Sequence, residues 1–440
     1  YKKRKAENNM RQKKKFLFSI FISLIFLFLS GFSFFNRSED KQKVEIEFFN
    51  QKSEIAEGLR HAGKSFEKEH PNVKVTITTV TSRDGGAALL SKFISGNAPT
   101  MMMLGGLPDI DFYKDYLLEM SDLKLTDEML PQLLGAGTLD DEILALPMGI
   151  EGFGFMYNKE IFAKAGIDPK KIQNFADFKQ VVETLDDKKE ELGLAEVFAY
   201  EGEDENEPNH FFANFAASEF DDDNNVAFNA KELNWKNGDR MKEYTDLINQ
   251  HTVQPVVTMT NPHSVEDLFF NDEVAMIHQG NWIVPALDDM DPSFVQEKLG
   301  ILPVFADDDL PGRNVAGSNW VIGINKTKSK DETQAAVEFL NFLYTSEKGK
   351  EIVSDEFQLV PPTKDVDIDD ISAPVSRQLY QEVLDDTAAP MTYKQEPYGF
   401  LRASLAPNFQ KYLAGQLSWE ELTKRTSADF KQMRQVQTVD

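Results

Sequence analysis

The chain has 440 residues, of which 41% are hydrophobic, 34 are Phe and none is Cys. This length can form two or three domains with their own cores, and the lack of cysteine excludes disulfides, thiol catalysis and zinc–thiolate sites. Residues 1–43 carry +8 of the net charge of −26, so residues 44–440 carry −34. A body this acidic does not attract the phosphates of nucleic acid.

The N-terminal segment has the pattern of an export signal. Lys13, Lys14 and Lys15 precede residues 16–35, which contain no charged residue. A positive region followed by an apolar segment directs a chain out of the cytoplasm, and twenty apolar residues suffice to span a bilayer. We therefore expect residues 1–43 to comprise an extension, a signal or anchor segment and a spacer, with the body on the extracellular face of the cell membrane.

The body opens with a βαβ pattern. Residues 44–49 predict a strand, residues 53–70 a helix with apolar residues at helical spacing, and residues 73–78 an alternating strand, which together favour a parallel sheet. Ligands of open α/β sheets lie at the carboxyl ends of the strands. The loop with Gln51 and Lys52 and the turn at Gly105 and Gly106 follow such strands, so we expect both to line one side of a cleft.

A second pattern marks a passage from one lobe to another at residues 146–159. Pro147 and Gly149 interrupt the preceding structure, and residues 150–157 then alternate as a strand. Glu151 and three aromatic residues, among them Phe153, share one face, whereas glycines at alternate positions leave the other face bare for a backbone or a flat ligand. Asn158 is placed to N-cap the following helix.

Three stretches carry a resemblance to a known family: LPMGIEGFGFMYNKEIFAKAGID, FEKEHPNVKV and FFNDEVAMIHQGNW. They resemble the extracellular solute-binding proteins of carbohydrate ABC importers, the family of maltodextrin-binding protein. The resemblance implies an α/β fold of two lobes with a ligand cleft between them and about three crossover segments. The expected boundaries are 44–149 for the first part of lobe 1, 150–300 for the first part of lobe 2, 301–344 for the return to lobe 1, and 345–440 for the C-terminal part of lobe 2.

The resemblance also implies a sugar site, because in the family the residue equivalent to Glu151 is a ligand-binding acid and Trp282 follows the turn that faces the sugar. A sugar site combines aromatic platforms with polar groups at the rim of the ring. We expect no catalytic residue, no metal and no cofactor. The expected ligand-binding residues are Gln51, Lys52, Glu151, Phe153, Asn281, Trp282, Asn319, Trp320, Tyr398 and Phe400.

The implied function is capture of a sugar or oligosaccharide by hinge closure and its delivery to the permease subunits of an ABC importer. We expect a monomer that is held at the membrane by its N-terminal segment. The end of that segment is similar to the lipoprotein signal of Gram-positive binding proteins, except that Phe32 stands where the lipidated cysteine is expected.

Two alternatives to sugar binding stay open on the sequence. A cell-surface glycoside hydrolase needs two carboxylates at a defined separation, but 73 acidic residues make such pairs uninformative. The same fold could instead bind a cation such as a polyamine, for which the acidic residues 203–207 beside aromatic residues would be the sign. The run Asp221, Asp222 and Asp223 lacks the spacing of a calcium loop.

Overall fold

The computed structural model describes residues 43–437, so the apolar segment 16–35 and Phe32 lie outside the described residues. The described chain forms two large β-sheets flanked by helices, together with a small two-stranded sheet, and it has the expected two-lobe α/β architecture. The strands are β1 Val44–Asn50, β2 Val73–Thr79, β3 Met101–Leu104, β4 Thr138–Leu139, β5 Glu142–Ile143, β6 Leu146–Pro147, β7 Glu151–Asn158, β8 Glu196–Phe198, β9 Val274–Gly280, β10 Leu299–Leu302, β11 Val315–Gly317 and β12 Val321–Ile324.

The helices surround the two sheets and account for the apolar periodicity of the sequence. They are α1 Ala56–Glu69, α2 Ser82–Ile94, α3 Leu107–Tyr113, α4 Lys124–Glu128, α5 Pro131–Leu134, α6 Lys159–Ala165, α7 Phe175–Asp187, α8 Lys189–Leu192, α9 Glu207–Ala216, α10 Asn224–Asn229, α11 Gly238–Gln250, α12 Val284–Met290, α13 Lys330–Thr345, α14 Glu347–Glu351, α15 Pro374–Leu384, α16 Ala406–Leu413 and α17 Trp419–Gln437. Further helical segments are His263–Phe269, Phe294–Lys298, Ile352–Glu356 and Leu401–Leu405.

The first lobe is built on the sheet β2-β1-β3-β12-β6. β1 pairs in parallel with both β2 and β3, as the βαβ pattern predicts, whereas β12 runs antiparallel to β3. The carboxyl ends of β1 and β3 therefore meet at one edge, where the loops after Asn50 and Leu104 begin. Helix α1 buries Leu59, Ala62 and Phe66 against this sheet, and α13 buries its Phe339 in the same core.

The second lobe is built on the sheet β10-β7-β9-β8, in which β7 is central. One edge of β7 pairs with β9, and its other edge pairs with β10 and β11. Asn158 ends the strand and caps α6, because its Oδ1 accepts from the backbone amides of Glu160 and Ile161. The bare glycine face of β7 is covered by protein, and no ligand-sized space is left there among the described residues.

The chain passes between the lobes at three places that hydrogen-bond to one another. The first crossing, residues 148–150, lies between the other two: the Met148 amide donates to the Trp320 carbonyl at 3.0 Å, and the Ile150 amide donates to the Val360 carbonyl at 2.8 Å. The Tyr344 hydroxyl donates to the Met148 carbonyl at 2.8 Å. The hinge is therefore one small sheet-like layer of three segments.

The first crossing lies next to the expected boundary between residues 149 and 150, whereas the other two crossings differ from the expected boundaries. β10 and β11 still pair with β7, so the return to the first sheet occurs at residues 318–320 and not at 301. Residues Ile352, Val353 and Phe357 still pack in the core of the first lobe, so the third crossing follows Phe357 rather than Tyr344. Periodicity identifies each strand and helix but does not reveal the sheet to which it belongs.

Within residues 43–437, no helix is long and apolar enough to cross a membrane.

Because β10 lies close to β7, a methyl group added at Gly154 should lower the stability of the fold. A Cβ on Gly154 would lie 2.8 Å from the Leu302 carbonyl oxygen and would overlap the Asn314 side chain, so Gly154→Ala should destabilise the fold by about 1–3 kcal/mol. Gly135→Ala is the matched control, because the nearest atom to its Cβ is 3.8 Å away. Urea unfolding measures both variants, and an equal small effect of the two would contradict this packing.

Candidate functional site

A cleft of about 620 Å³ lies between the two lobes, next to the hinge. This volume is in the usual range for small-molecule sites. The first lobe contributes the loops after β1 and β3 and the start of α2, and the second lobe contributes the start of β7, the end of β9, α9 and residues 394–402. The strand ends that were expected to meet at a cleft therefore do so.

A buried ion pair crosses the cleft at its inner end. Lys52 Nζ, after β1 of the first lobe, lies 2.8 Å from Glu151 Oε1 at the start of β7. Lys52 is 6% exposed and Glu151 is 3% exposed, and Lys52 also contacts Glu54 at 2.8 Å. Burial alone would lower the pKa of Lys52, but the charges of Glu151 and Glu54 outweigh it and raise that pKa. Lys52 is therefore a cation that ties the lobes together.

Trp320 lies in the second crossing, immediately before β12, and is partly exposed to the cleft. Lys394 Nζ from the second lobe sits 4.8 Å from the centroid of the Trp320 ring, in the geometry of a cation–π contact. Burial lowers the pKa of Lys394 to about 8, although Glu151, Asp109 and Glu396 oppose this shift. One face of Trp320 is thus covered by a readily deprotonated amine.

Trp282 lies on the opposite wall, directly after β9. Its Nε1 donates to Gln279 Oε1 at 2.6 Å, and its ring is 4.8 Å from the His210 ring. The indole ring of Trp282 packs directly against the backbone of Gly280. A side chain at position 280 would overlap this ring. Burial lowers the pKa of His210 well below its usual value, with the nearby Lys394 and His278 adding to the effect. This wall therefore offers two uncharged rings at neutral pH.

The same wall carries three carboxylates, Glu201, Asp204 and Glu207, which we call the acidic wall. Glu207 Oε1 pairs with His278 Nδ1 at 2.7 Å, whereas its Oε2 has no hydrogen-bond partner among the described residues. Both Glu201 oxygens accept from Asn261 Nδ2 at 3.1 Å. Burial raises the pKa of Glu201 and of Glu207 well above the usual value, and the neighbouring acids raise both further.

The mouth of the cleft is bridged by polar contacts from the two lobes. Glu205 Oε1 lies 3.1 Å from Arg402 Nε and 3.6 Å from Arg83 Nε, which belongs to α2 of the first lobe. The Tyr398 ring is 59% exposed, and its hydroxyl lies against Gly86 of α2. These contacts are exposed, so each contributes little stability and opens easily.

The structure brings together most of the residues that the sequence indicated. The cleft is lined by Gln51, Lys52, Glu151, Trp282, Asn319, Trp320 and Tyr398. Gln51 is nevertheless fixed by a hydrogen bond from its Nε2 to the Met103 carbonyl at 2.9 Å, and Asn319 Oδ1 accepts from the Tyr393 hydroxyl at 2.8 Å. The Oε1 atom of Gln51 lies against Gly85 of α2.

Three expected residues lie elsewhere and are corrected. Phe400 is fully buried in the second lobe, edge to face with Phe430, because the helical segment Leu401–Leu405 turns it inward. Phe153 is also fully buried, and it supports Trp282 from behind at a ring distance of 5.7 Å. Asn281 accepts from the Gly152 amide at 3.0 Å and donates to Ser376, so it fixes the end of β9.

Several cleft residues were not recognisable from the sequence. Asp109 accepts from the Gly105 amide at 2.7 Å, and burial raises its pKa despite this bond and despite Lys394. Glu396 lies beside Lys394, and burial raises its pKa to about 8. Asp109, His210 and the pair Lys394 and Glu396 come from three segments that are far apart in the chain and match no motif, so only the folded chain brings them together.

A second, smaller cavity of about 320 Å³ adjoins the cleft behind Gly105, Asn319 and Lys394. It has no aromatic lining residue, and the Gly106 backbone packs closely against the Lys394 carbonyl between the two spaces. The larger cleft is therefore the candidate ligand site. Over residues 43–437, no group of His, Asp and Glu residues has a geometry that could hold a metal ion.

Comparison with known proteins agrees with this architecture. The family model described as "Bacterial extracellular solute-binding protein" matches residues 50–350. The chain is similar to the multiple sugar-binding protein of Streptococcus mutans, with 23% identity over 69% of this chain and 72% of that protein. It is also similar to the melibiose/raffinose/stachyose-binding protein MelE of Bacillus subtilis, with 23% identity over 77% and 79% of the two chains.

Solved structures share the fold. A chitin oligosaccharide binding protein superposes with a TM-score of 0.71 at 21% identity, covering 90% of this chain and all of that chain. The protein RafE in complex with raffinose superposes with a TM-score of 0.71 at 17% identity, covering 89% of this chain and all of that chain. The two-lobe fold is thus that of known binding proteins.

The ion pair across the cleft predicts strong coupling between its two members. Lys52→Met leaves the buried Glu151 without its cation and should lower the free energy of unfolding by about 3 kcal/mol. Adding Glu151→Gln to this variant removes the stranded charge and should restore a large part of the loss. Urea unfolding of the two single variants and the double variant gives the coupling, and simple additivity would show that the pair does not form.

Proposed function

Because the chain belongs to the family of bacterial extracellular solute-binding proteins, we propose that it captures an oligosaccharide in the cleft between its lobes and delivers it to the permease of an ABC importer. Family membership also makes the chain an exported solute-binding protein and not an enzyme, which sets the hydrolase alternative aside. The relatives named above are described as sugar-binding proteins, which supports a carbohydrate ligand.

The observation that carries the proposal is the pair of tryptophans on opposite walls of one cleft. Trp282 belongs to the second lobe and Trp320 to the crossing beside the first lobe, and both are partly exposed to the cleft. Sugar rings present flat C–H faces that pack on aromatic rings, and their hydroxyl groups need polar partners at the rim. Glu151, Gln279 and Asn319 lie in the same cleft and supply such partners.

Hinge closure follows from the way in which the cleft is built. A sugar between the walls contacts both lobes only when they are close together, so it binds the closed form more tightly and shifts the population toward that form. The three hydrogen-bonded crossings permit this rotation as a hinge because few residues connect the lobes. The permease then distinguishes the closed form from the open one.

The proposal includes the way in which the protein is held near its permease. We propose that residues 16–35 anchor a monomeric body at the outer face of the membrane, since this apolar segment is long enough to span a bilayer. Lipid attachment at Phe32 is not expected, because that chemistry requires a thiol.

Ligand binding should depend on both tryptophans. Trp282→Ala and Trp320→Ala should each weaken binding of the preferred oligosaccharide by about 2 kcal/mol or more, since aromatic residues that pack on a ligand are typical hot spots. The ligand is first found with a panel of mono- and oligosaccharides, because binding to the native state raises its melting temperature. Titration calorimetry then measures the affinity of each variant.

Trp419→Phe is the matched control, because Trp419 is buried against Trp235 in the second lobe. This variant should lower stability without changing affinity. Full affinity in both cleft variants would refute the proposed site, and a folded protein that binds no carbohydrate of the panel would refute the proposed function.

A further inference from the structure

One cation in the cleft is left unpaired by the part of the chain that the structure describes. The lysine and arginine residues that line the cleft are Lys52, Arg83, Lys394 and Arg402. Lys52 pairs with two glutamates, and both arginines contact Glu205 at the mouth of the cleft. Lys394 Nζ forms neither an ion pair nor a hydrogen bond with residues 43–437. Its three donors are therefore open to a group from outside the protein.

The amine of Lys394 lies in the cleft and not in the smaller cavity, although the residue lines both spaces. Its Nζ is 4.8 Å from the centroid of the Trp320 ring and 5.4 Å from the centroid of the Tyr393 ring. Trp320 lines the cleft but not the smaller cavity. The carbonyl of Lys394 packs closely against Gly106 instead. The backbone of Lys394 therefore lies between the two spaces, and its amine is presented to the cleft.

Glu151 supplies an acceptor beside this amine. It lines the cleft, and its Oε1 accepts from Lys52 at 2.8 Å, whereas its Oε2 accepts no hydrogen bond from residues 43–437. Burial lowers the pKa of Lys394 to about 8, and the charge of Glu151 is the strongest of the influences that oppose this shift. The two groups are therefore neighbours, yet they form no ion pair with each other. An open donor and an open acceptor thus lie close together in the cleft, too far apart to bond directly.

A hydroxyl group satisfies both partners at once. It accepts a hydrogen bond from an amine, and it donates its own proton to a carboxylate. An ammonium ligand has no acceptor for Lys394, and a carboxylate ligand has no proton for Glu151. A neutral, hydroxylated ligand is therefore the class of molecule that this pair of side chains fits.

We propose that Lys394 is a specificity-determining residue of the site, and that its Nζ and the Oε2 of Glu151 bind one hydroxyl group of the sugar. The inference rests on the proposed function and names a further ligand contact in the same cleft. The ammonium group lies over Trp320, and the flexible stem of the lysine lets it exchange this contact for the hydroxyl. The sugar unit beside Trp320 is then held by one of its hydroxyl groups as well as by the indole.

Lys394→Met tests this contact, because methionine has a side chain of similar length but no hydrogen-bond donor. The probe is whichever of raffinose, stachyose, maltotriose and triacetylchitotriose raises the melting temperature of the unaltered protein most. Titration calorimetry should show that the variant binds this probe about tenfold more weakly or worse, as expected for the loss of a hydrogen bond from a charged donor. The melting temperature of the variant without sugar should not fall, because the substitution removes a partly buried, unpaired cation.

Two further variants show whether the amine and the carboxylate share one hydroxyl. Glu151→Gln combined with Lys394→Met should lose much less affinity than the two single losses multiplied together, because both substitutions remove bonds to the same group. Lys424→Met changes an exposed lysine elsewhere in the second lobe and should leave the affinity unchanged. If Lys394→Met does not fold, Lys394→Leu takes its place in each comparison.

The outcomes separate the inference from the proposed function. An affinity of Lys394→Met equal to that of the unaltered protein overturns the inference and leaves the oligosaccharide function standing. Independent losses in the double variant also overturn it, because Lys394 and Glu151 would then bind different groups. A folded, unaltered protein whose melting temperature none of the four sugars raises refutes the proposed function, and the inference with it.

Discussion

The hinge depends on one short segment, residues 148–150, that lies between the two other crossings. Its backbone bonds to residue 320 on one side and to residue 360 on the other, so the three crossings form a single layer. Because β7 begins directly after this segment and β12 directly after the second crossing, the hinge places Glu151 and Trp320 at the base of the cleft. Each lobe therefore presents its strand ends to the same space.

The electrostatics of the cleft are divided in two. At the inner end, Lys52 pairs with both Glu151 and Glu54, and Lys394 lies over the ring of Trp320. At the outer end, the acidic wall has no protein cation of its own within residues 43–437. Burial and the neighbouring acids raise the pKa of Glu201 and of Glu207, which favours the uncharged form of these two side chains.

Much of the fold could be predicted from the sequence because its signals are local. Alternation in β7, the Asn158 cap and the helical spacing of α1 all depend on neighbouring residues, and all three are confirmed. The positions of the second and third crossings were wrong, because strand pairing such as β10 with β7 depends on residues that are distant in sequence. In the site, the turns before Trp282 and Trp320 indicate residues that face a cleft. Phe400 also follows a glycine, yet its side chain packs in the hydrophobic core of the second lobe. Only packing distinguishes these cases.

The central claim is that a sugar binds between the two lobes, with its ring against the tryptophans and its hydroxyl groups at the hinge. A crystal structure of the protein with the oligosaccharide that raises its melting temperature most tests this claim directly. The account predicts sugar density between Trp282 and Trp320, with a hydroxyl about 3 Å or less from a Glu151 carboxylate oxygen. Density in the smaller cavity behind Asn319, or on the outer surface of either lobe, would contradict it.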